Sequence, residues 1–307
     1  MIRRQNEFFD SELLARLSKM EITARRVVDG FLAGKNKSSR QGFSVEFVEH
    51  REYSPGDDLR HLDWKVLGRL DRYYIKRYEE ETNITGVLVV DCSASMTYAS
   101  GEVSKFEVAA ATASALGYML NRQRDSVGLA LFDSELRAYV PPSVRVTSLA
   151  NIVSKMEAAE PSGKTSLEAT LKRVATDLPR RSMFVILSDF FVPQQDVEAA
   201  LRFLYYRGHE AIVLHVLDPA ERSFPFESNT LFRGLEDNRQ LITEPHRLRA
   251  RYLEILNRFI DGVRKTTQEC AFDYQLLDSP DELSSALTAL LARRARKQRI
   301  VRRERGG

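Results

Sequence analysis

Apolar positions along this chain follow two rhythms that take turns from about residue 85 onward. Short continuous apolar runs, Val87–Val90, Val127–Phe132, Met183–Leu187 and Ala211–Leu217, read as strands buried on both faces. Between them, apolar residues recur every three or four positions, as on one face of a helix. Phe106, Ala109, Ala113, Leu116 and Leu120 form one such stripe, and Ser104 with Glu107 makes a capping box that starts it. Further helices are predicted over 146–157, 166–178, 195–206 and 246–268, with a last strand at Tyr274–Leu277 and a final helix from Pro280. Leu136–Val140 reads as a short edge strand that Pro141-Pro142 stops. Strands alternating with helices predict a three-layer α/β domain with a mostly parallel, Rossmann-type sheet.

The flanking segments break this rhythm. Phe8–Gly34 carries a helical stripe, Phe43–His50 and Tyr73–Tyr78 alternate as strands, and Ser54-Pro55-Gly56-Asp57 is a tight turn. Residues 1–84 are therefore read as an N-terminal helix/strand module, 85–294 as the α/β domain and 295–307 as a basic tail. Asp218–Pro245 interrupts the domain, and its two short runs, Thr230–Leu235 and Gln240–Thr243, predict a β-hairpin excursion near 219–245.

Composition adds three constraints. Hydrophobic residues make up 43% and charged residues 29%, and no stretch approaches the roughly 18 apolar residues that span a bilayer. The first residues lack the apolar core of a signal peptide, and Cys92 and Cys270 form no spaced pattern. Together these predict a reduced, cytoplasmic protein. The tail from Arg293 to Arg305 holds eight basic residues against Glu304, so more than the chain's whole net charge of +3 sits there. Such a block is ordinarily a solvated helix end. Contact with anionic lipid is the alternative, and without interleaved aromatics no nucleic-acid partner is expected.

The chemistry concentrates where the first buried strand ends. Val90-Asp91-Cys92-Ser93-Ala94-Ser95 puts a carboxylate and two hydroxyls at alternate positions beyond an apolar run, and open α/β sheets place ligands beyond the carboxyl ends of their strands. Downstream, Thr165 precedes a helical stripe and Asp189 ends the Met183 run. Asp91, Ser93, Ser95, Thr165 and Asp189 are thus candidate ligands, whose hard oxygens suit Mg²⁺ or Mn²⁺. The order Asp-x-Ser-x-Ser, Thr, Asp resembles the metal-ion-dependent adhesion site of von Willebrand factor A domains. That likeness implies a von Willebrand A-like sheet and a metal whose open position accepts an acidic residue of a partner protein. For single residues a structural role competes: Thr165 and Glu168 also form a capping box, Ser95 could cap a turn and Asp91 could orient backbone amides.

A second dense segment lies upstream, Tyr53-Ser54-Pro55-Gly56-Asp57-Asp58-Leu59-Arg60-His61-Leu62-Asp63-Trp64. Arg60 can fork onto Asp63, and Trp64, the only tryptophan, suits an anchor in a core. Tyr53, Asp57, Asp58, Arg60, Asp63 and Trp64 are read either as a brace or as a partner-binding surface. Tyr-x-Pro-Gly-Asp-Asp-x-Arg-x-x-Asp-Trp followed by Asp-x-Ser-x-Ser-Met resembles the domain-of-unknown-function family 58. Leu217-Asp218-Pro219-Ala220-Glu221 and Phe272–Leu277 extend the likeness. It implies a partner, a MoxR-type AAA+ ATPase, in assembly or maturation of a client.

The residues lead to a non-enzymatic, metal-dependent recognition protein with no catalytic residue assigned. Two other readings stay open: a Mg²⁺-dependent phosphohydrolase using Asp91 as nucleophile, with Lys164 nearby, and a metal-independent scaffold. Ser93 is a poor general acid where phosphatases of the haloacid-dehalogenase type carry an acidic one. No zinc-protease histidine pair, complete phosphate loop or G-x-S-x-G elbow occurs.

Overall fold

The computed structural model describes residues 49–52, 73–77, 84–237 and 239–278. The chain divides into two compact units, residues 33–83 in one and the stretch from 84 onward in the other. In the first, β1 (Glu49–Glu52) pairs antiparallel with β2 (Tyr74–Arg77). The helix expected over 8–34, the Tyr53–Trp64 segment, the final helix and the basic tail lie outside the described residues.

In the second unit the buried runs become strands β3 (Thr85–Asp91), β4 (Ser126–Phe132), β5 (Leu136–Ser143), β6 (Met183–Ser188) and β7 (Glu210–Val216), with β10 (Asp273–Leu277) last. They form a six-stranded sheet in the order β10-β7-β6-β3-β4-β5. Every pairing is parallel except β4 with β5. Parallel neighbours need crossovers, supplied by α1 (Lys105–Arg122), α2 (Val146–Glu157), α3 (Leu167–Thr176), α4 (Gln194–Tyr206) and α6 (Pro245–Glu269). The short helix α5 (Pro219–Ser223) follows β7.

Successive residues of a strand face opposite sides, and the core divides accordingly. Leu88 and Val90 pack with the α1 stripe and with Ile152 and Met156 of α2. Val87 and Val89 pack on the other face with Leu171 of α3, Leu201 and Leu204 of α4 and Val263 of α6. Each such side chain, wholly removed from water, contributes about 1.5–3 kcal/mol. The result is the three-layer α/β architecture that the periodicity predicts. The Ser104–Glu107 capping box opens α1 with both of its reciprocal bonds.

One expectation fails: β5 runs through Pro141-Pro142 to Ser143 instead of stopping at Val140. The strand is the sheet's edge, so a proline there costs no ladder bond on its free side. Its pairing with β4 also shifts register between Val127 and Leu129. Gly128 makes room at this irregularity, because a Cβ there would meet Val140 O at 2.7 Å and Pro142 N at 2.9 Å.

Chain order along the sheet sets the functional position. From β3 the chain moves outward to β4 and β5, then returns to the other side of β3 to form β6 and β7. The reversal falls between β3 and β6, so the crevice at their carboxyl ends is the sheet's topological switch point.

Candidate functional site

Asp91 closes β3 with its side chain fully buried. The Ser93 N–H donates to its Oδ1 at 2.9 Å, and the Ser188 hydroxyl, from the end of β6, donates to its Oδ2 at 2.5 Å. Ser93 Oγ lies 3.1 Å from Ser95 Oγ, and the 3₁₀ turn Ala94–Thr97 carries both Ser95 and Met96 inward.

Thr165 comes from another loop, held by backbone bonds. Ala94 N–H donates to Gly163 O (3.0 Å), Ser162 N–H to Cys92 O (2.9 Å) and Ser166 N–H to Asp133 O (2.8 Å). Gly163, at φ +73°, sits where a Cβ would come within 3.3 Å of the Asp133 carboxylate. This lashing brings Thr165 Oγ1 to 3.4 Å from Asp91 Oδ2 and 3.4 Å from Glu236 Oε1. The capping-box reading of Thr165 does not hold, because α3 is capped at Ser166 with no side-chain bond. Glu168 pairs instead with Lys172 at 2.6 Å.

Asp189, one residue past β6, is also fully buried, but its surroundings differ. Its Oδ2 accepts from Lys105 Nζ at 2.8 Å and its Oδ1 from the Phe191 N–H at 3.1 Å. Lys105 bonds a second carboxylate, Glu221, at 2.8 Å. Burial alone would pull the Lys105 ammonium down, but Asp189 and Glu221 outweigh it and hold it above its ordinary value. Glu221 is placed by the α5 capping box, in which the Asp218 N–H donates to its Oε2 while Asp218 accepts from Ala220 N–H. His215 Nε2 lies 3.0 Å from the Asp189 carbonyl and Nδ1 lies 2.9 Å from the Tyr274 hydroxyl. Burial pushes this imidazole down to about 4, so it stays neutral, with Nε2 carrying the proton toward the carbonyl.

The structure therefore gathers Asp91, Ser93, Ser95 and Thr165 at one point and sets Asp189 beside them, tied to a lysine. Burial, with the negative charge of Asp189 second, pushes the Asp91 carboxyl up to about 7 against the hydrogen bonds of Ser188 and Ser93. No protein cation contacts its oxygens among the described hydrogen bonds, and a carboxylate held this way lacks positive charge. Among the described residues no group of three or more histidine, cysteine or acidic side chains is placed to hold a metal. An ion at Asp91 would be held chiefly by hydroxyls, and the donor set of one buried carboxylate with Ser93, Ser95 and Thr165 fits a hard divalent cation. The six residues proposed for partner binding, Tyr53 to Trp64, lie outside the described residues.

Three participants escaped the sequence reading. Ser188 is a hydroxyl ending an apolar run. Lys105 stands in the first turn of α1, where the helix dipole disfavours a cation, and that misplacement is the signal it carried. Glu236, in the turn between β8 (Thr230–Arg233) and β9 (Gln240–Thr243), carried none. Burial raises its carboxyl, while hydrogen bonds from Ser95 and Thr165 and the charge of Lys164 pull it down.

The family described as "Protein of unknown function DUF58" matches residues 49–258. Uncharacterized proteins Mb1516 of Mycobacterium bovis and Rv1480 of Mycobacterium tuberculosis are each 27% identical over 230 residues, covering 74% of this chain and 72% of theirs. Among solved structures, an aerotolerance-related membrane protein from Bacteroides fragilis covers 67% of this chain and 98% of its own, at 18% identity and TM-score 0.50. The conserved hypothetical protein BatB from Bacteroides thetaiotaomicron covers 68% and 100%, at 16% identity and TM-score 0.48. The expectation of a cytoplasmic protein is corrected here, because a structure sharing the fold is described as a membrane protein. That expectation rested on the lack of an apolar span. No helix among the described residues is long and apolar enough to cross a membrane, yet the same kind of domain occurs in a protein described as a membrane protein, so such a lack does not fix location.

Proposed function

This chain belongs to the family of unknown function DUF58, and from that premise we propose that it is a metal-dependent protein-recognition module. Asp91, Ser93, Ser95 and Thr165 would hold Mg²⁺ or Mn²⁺, with Asp189 beside them. When bound, the ion supplies an electrophilic position that an acidic side chain of a partner can occupy. The chain's own residues do the rest. Ser188 and the Ser93 N–H orient the Asp91 carboxylate, the two clamped loops set the hydroxyls around it, and Lys105 keeps Asp189 from adding a second uncompensated charge.

One observation carries this reading: a fully buried carboxylate at the switch point, faced by hydroxyls from two loops and, among the described residues, by no protein cation. The burial of Asp91 and the engagement of both its oxygens support a ligand over an attacking nucleophile, which needs access to its substrate. The partner that the sequence resemblance implies, a MoxR-type AAA+ ATPase, is proposed as the protein supplying the acidic group.

Calorimetric titration of Mn²⁺ and Mg²⁺ into the wild type and Asp91→Ala tests the centre, and binding of a MoxR-type ATPase with and without EDTA tests its use. The expected result is one-site metal binding lost in Asp91→Ala, and ATPase binding lost both in that variant and in EDTA. ATPase binding that survives both changes would refute the proposal.

A further inference from the structure

The hairpin of β8 and β9 ends at the candidate site. Its turn carries two bonds: the Gly234 N–H donates to Arg239 O at 2.8 Å, and Asp237 accepts from the Arg239 N–H at 3.1 Å. Two residues before the turn Phe232 stacks on Phe224 at 5.6 Å and meets Phe226 edge-on at 5.2 Å, and Phe224 in turn packs on Tyr252 of α6 at 4.5 Å. The strands are otherwise shallow, with Leu231, Leu241 and Ile242 exposed. The hairpin is thus anchored through Phe232 and presents Glu236 in the turn that follows. Its carboxylate reaches Thr165 Oγ1 on one clamped loop and Ser95 on the other. Thr165 Oγ1 also faces Asp91, so a single hydroxyl lies between the two carboxylates.

This placement concentrates negative charge. Asp91 and Glu236 both face Thr165 Oγ1, while Lys105 is already shared between Asp189 and Glu221. Like charges brought together near a low-dielectric crevice repel, and a divalent cation between the hydroxyls would relieve Asp91 and Glu236.

Resting on the metal-centre reading above, we propose that Glu236 is the chain's own acidic ligand for that centre. The hairpin tip delivers it to the position a partner's carboxylate would take, and a partner binds by displacing the tip. A two-stranded hairpin is marginally stable by itself, and a segment with so little buried surface opens locally at low cost. The recognised group is then a carboxylate carried on a protruding turn, the same chemistry that the hairpin presents.

The experiment uses Mn²⁺ with the full chain as wild type, Glu236→Ala, Glu236→Gln and Asp91→Ala, each checked for native circular dichroism. Affinity is read by calorimetry, and inner-sphere water by the proton relaxation of the bound Mn²⁺. Glu236→Ala and Glu236→Gln should bind Mn²⁺ about tenfold more weakly and carry about one additional exchanging water. Millimolar acetate should remove that water in Glu236→Ala and leave the wild type unchanged. Equal or tighter affinity with the same water count in wild type and Glu236→Ala, while Asp91→Ala loses the metal, would overturn the role of Glu236 and leave the centre standing. Failure of the wild type itself to bind Mn²⁺ would overturn the centre, and this assignment with it.

Discussion

Asp91 and Asp189 stand at the ends of adjacent strands, both fully buried, yet the fold treats them oppositely. Asp189 has a cation of the chain's own, Lys105 at 2.8 Å, which a second acid, Glu221, shares. Among the described residues Asp91 is met by hydroxyls and a backbone N–H, and its carboxyl is pushed up to about 7. A buried carboxylate is compensated by charge or hydrogen bonds, or takes up a proton. One half of the crevice has a cation built in, and the other half, among the described residues, holds neutral donors. The difference separates a paired from an unpaired carboxyl in two residues that look alike in sequence, and the proposed metal centre rests on that difference.

The strongest way to break this contrast is to remove the built-in cation. Lys105→Met leaves the buried Asp189 and the partly buried Glu221 without compensation and should destabilise the domain by about 3–5 kcal/mol, measured by urea denaturation. Mn²⁺ should then restore more stability to the variant than it adds to the wild type, because the Asp189 half has become like the Asp91 half. Asp91→Ala should act in the opposite sense. Without metal it removes an uncompensated charge, so stability should hold or rise, while Mn²⁺ affinity falls by more than about 100-fold, since changes one shell further out already cost 10–100-fold. Equal destabilisation by the two substitutions would erase the distinction.

Acidity sharpens the comparison next. With a folded value of about 7 against 3.8 for a free carboxyl, Asp91 holds its proton more tightly in the native state. Its contribution to stability without metal is therefore fully present below about pH 4 and is lost as the pH rises through 7. The metal requires the deprotonated form, so Mn²⁺ affinity should be full above pH 7 and fall by up to about tenfold per unit below it. Calorimetry from roughly one and a half units below the transition to about one unit above it checks this. Affinity that is flat across the interval would show that Asp91 is not a ligand.

The smallest effect is expected at Thr165. Thr165→Ala should weaken Mn²⁺ binding about tenfold and leave thermal stability within about 0.5 kcal/mol, where loss of a helix cap costs about 1 kcal/mol. Thr165→Ser should restore the affinity. A stability loss without an affinity loss would return Thr165 to a capping role.

Much of the architecture was legible because local periodicity and burial agree. The apolar run before Asp91 became a central strand, and Ser104 with Glu107 started α1 as read. The α5 turn was legible too, since Asp218-Pro219-Ala220-Glu221 has a capping box with proline at its first position, but the surrounding excursion masked it. Pro141-Pro142 misled because their effect depends on whether the strand is an edge, and that is a property of the sheet. Thr165 fitted a capping box and the metal pattern equally well until the fold placed Ser166 at the helix start.

By itself the sequence determined the strand and helix rhythm, the two strand-end carboxylates and the hydroxyl pattern around Asp91, because periodicity and short spacings are local properties. Only the tertiary structure decided which carboxylate received a cation, that Ser188 rather than a charged group faces Asp91, and that a hairpin more than seventy positions after Thr165 returns Glu236 to its hydroxyl. Those outcomes depend on strand order and on loops brought together across the sheet, and residue spacing along the chain carries no information about either.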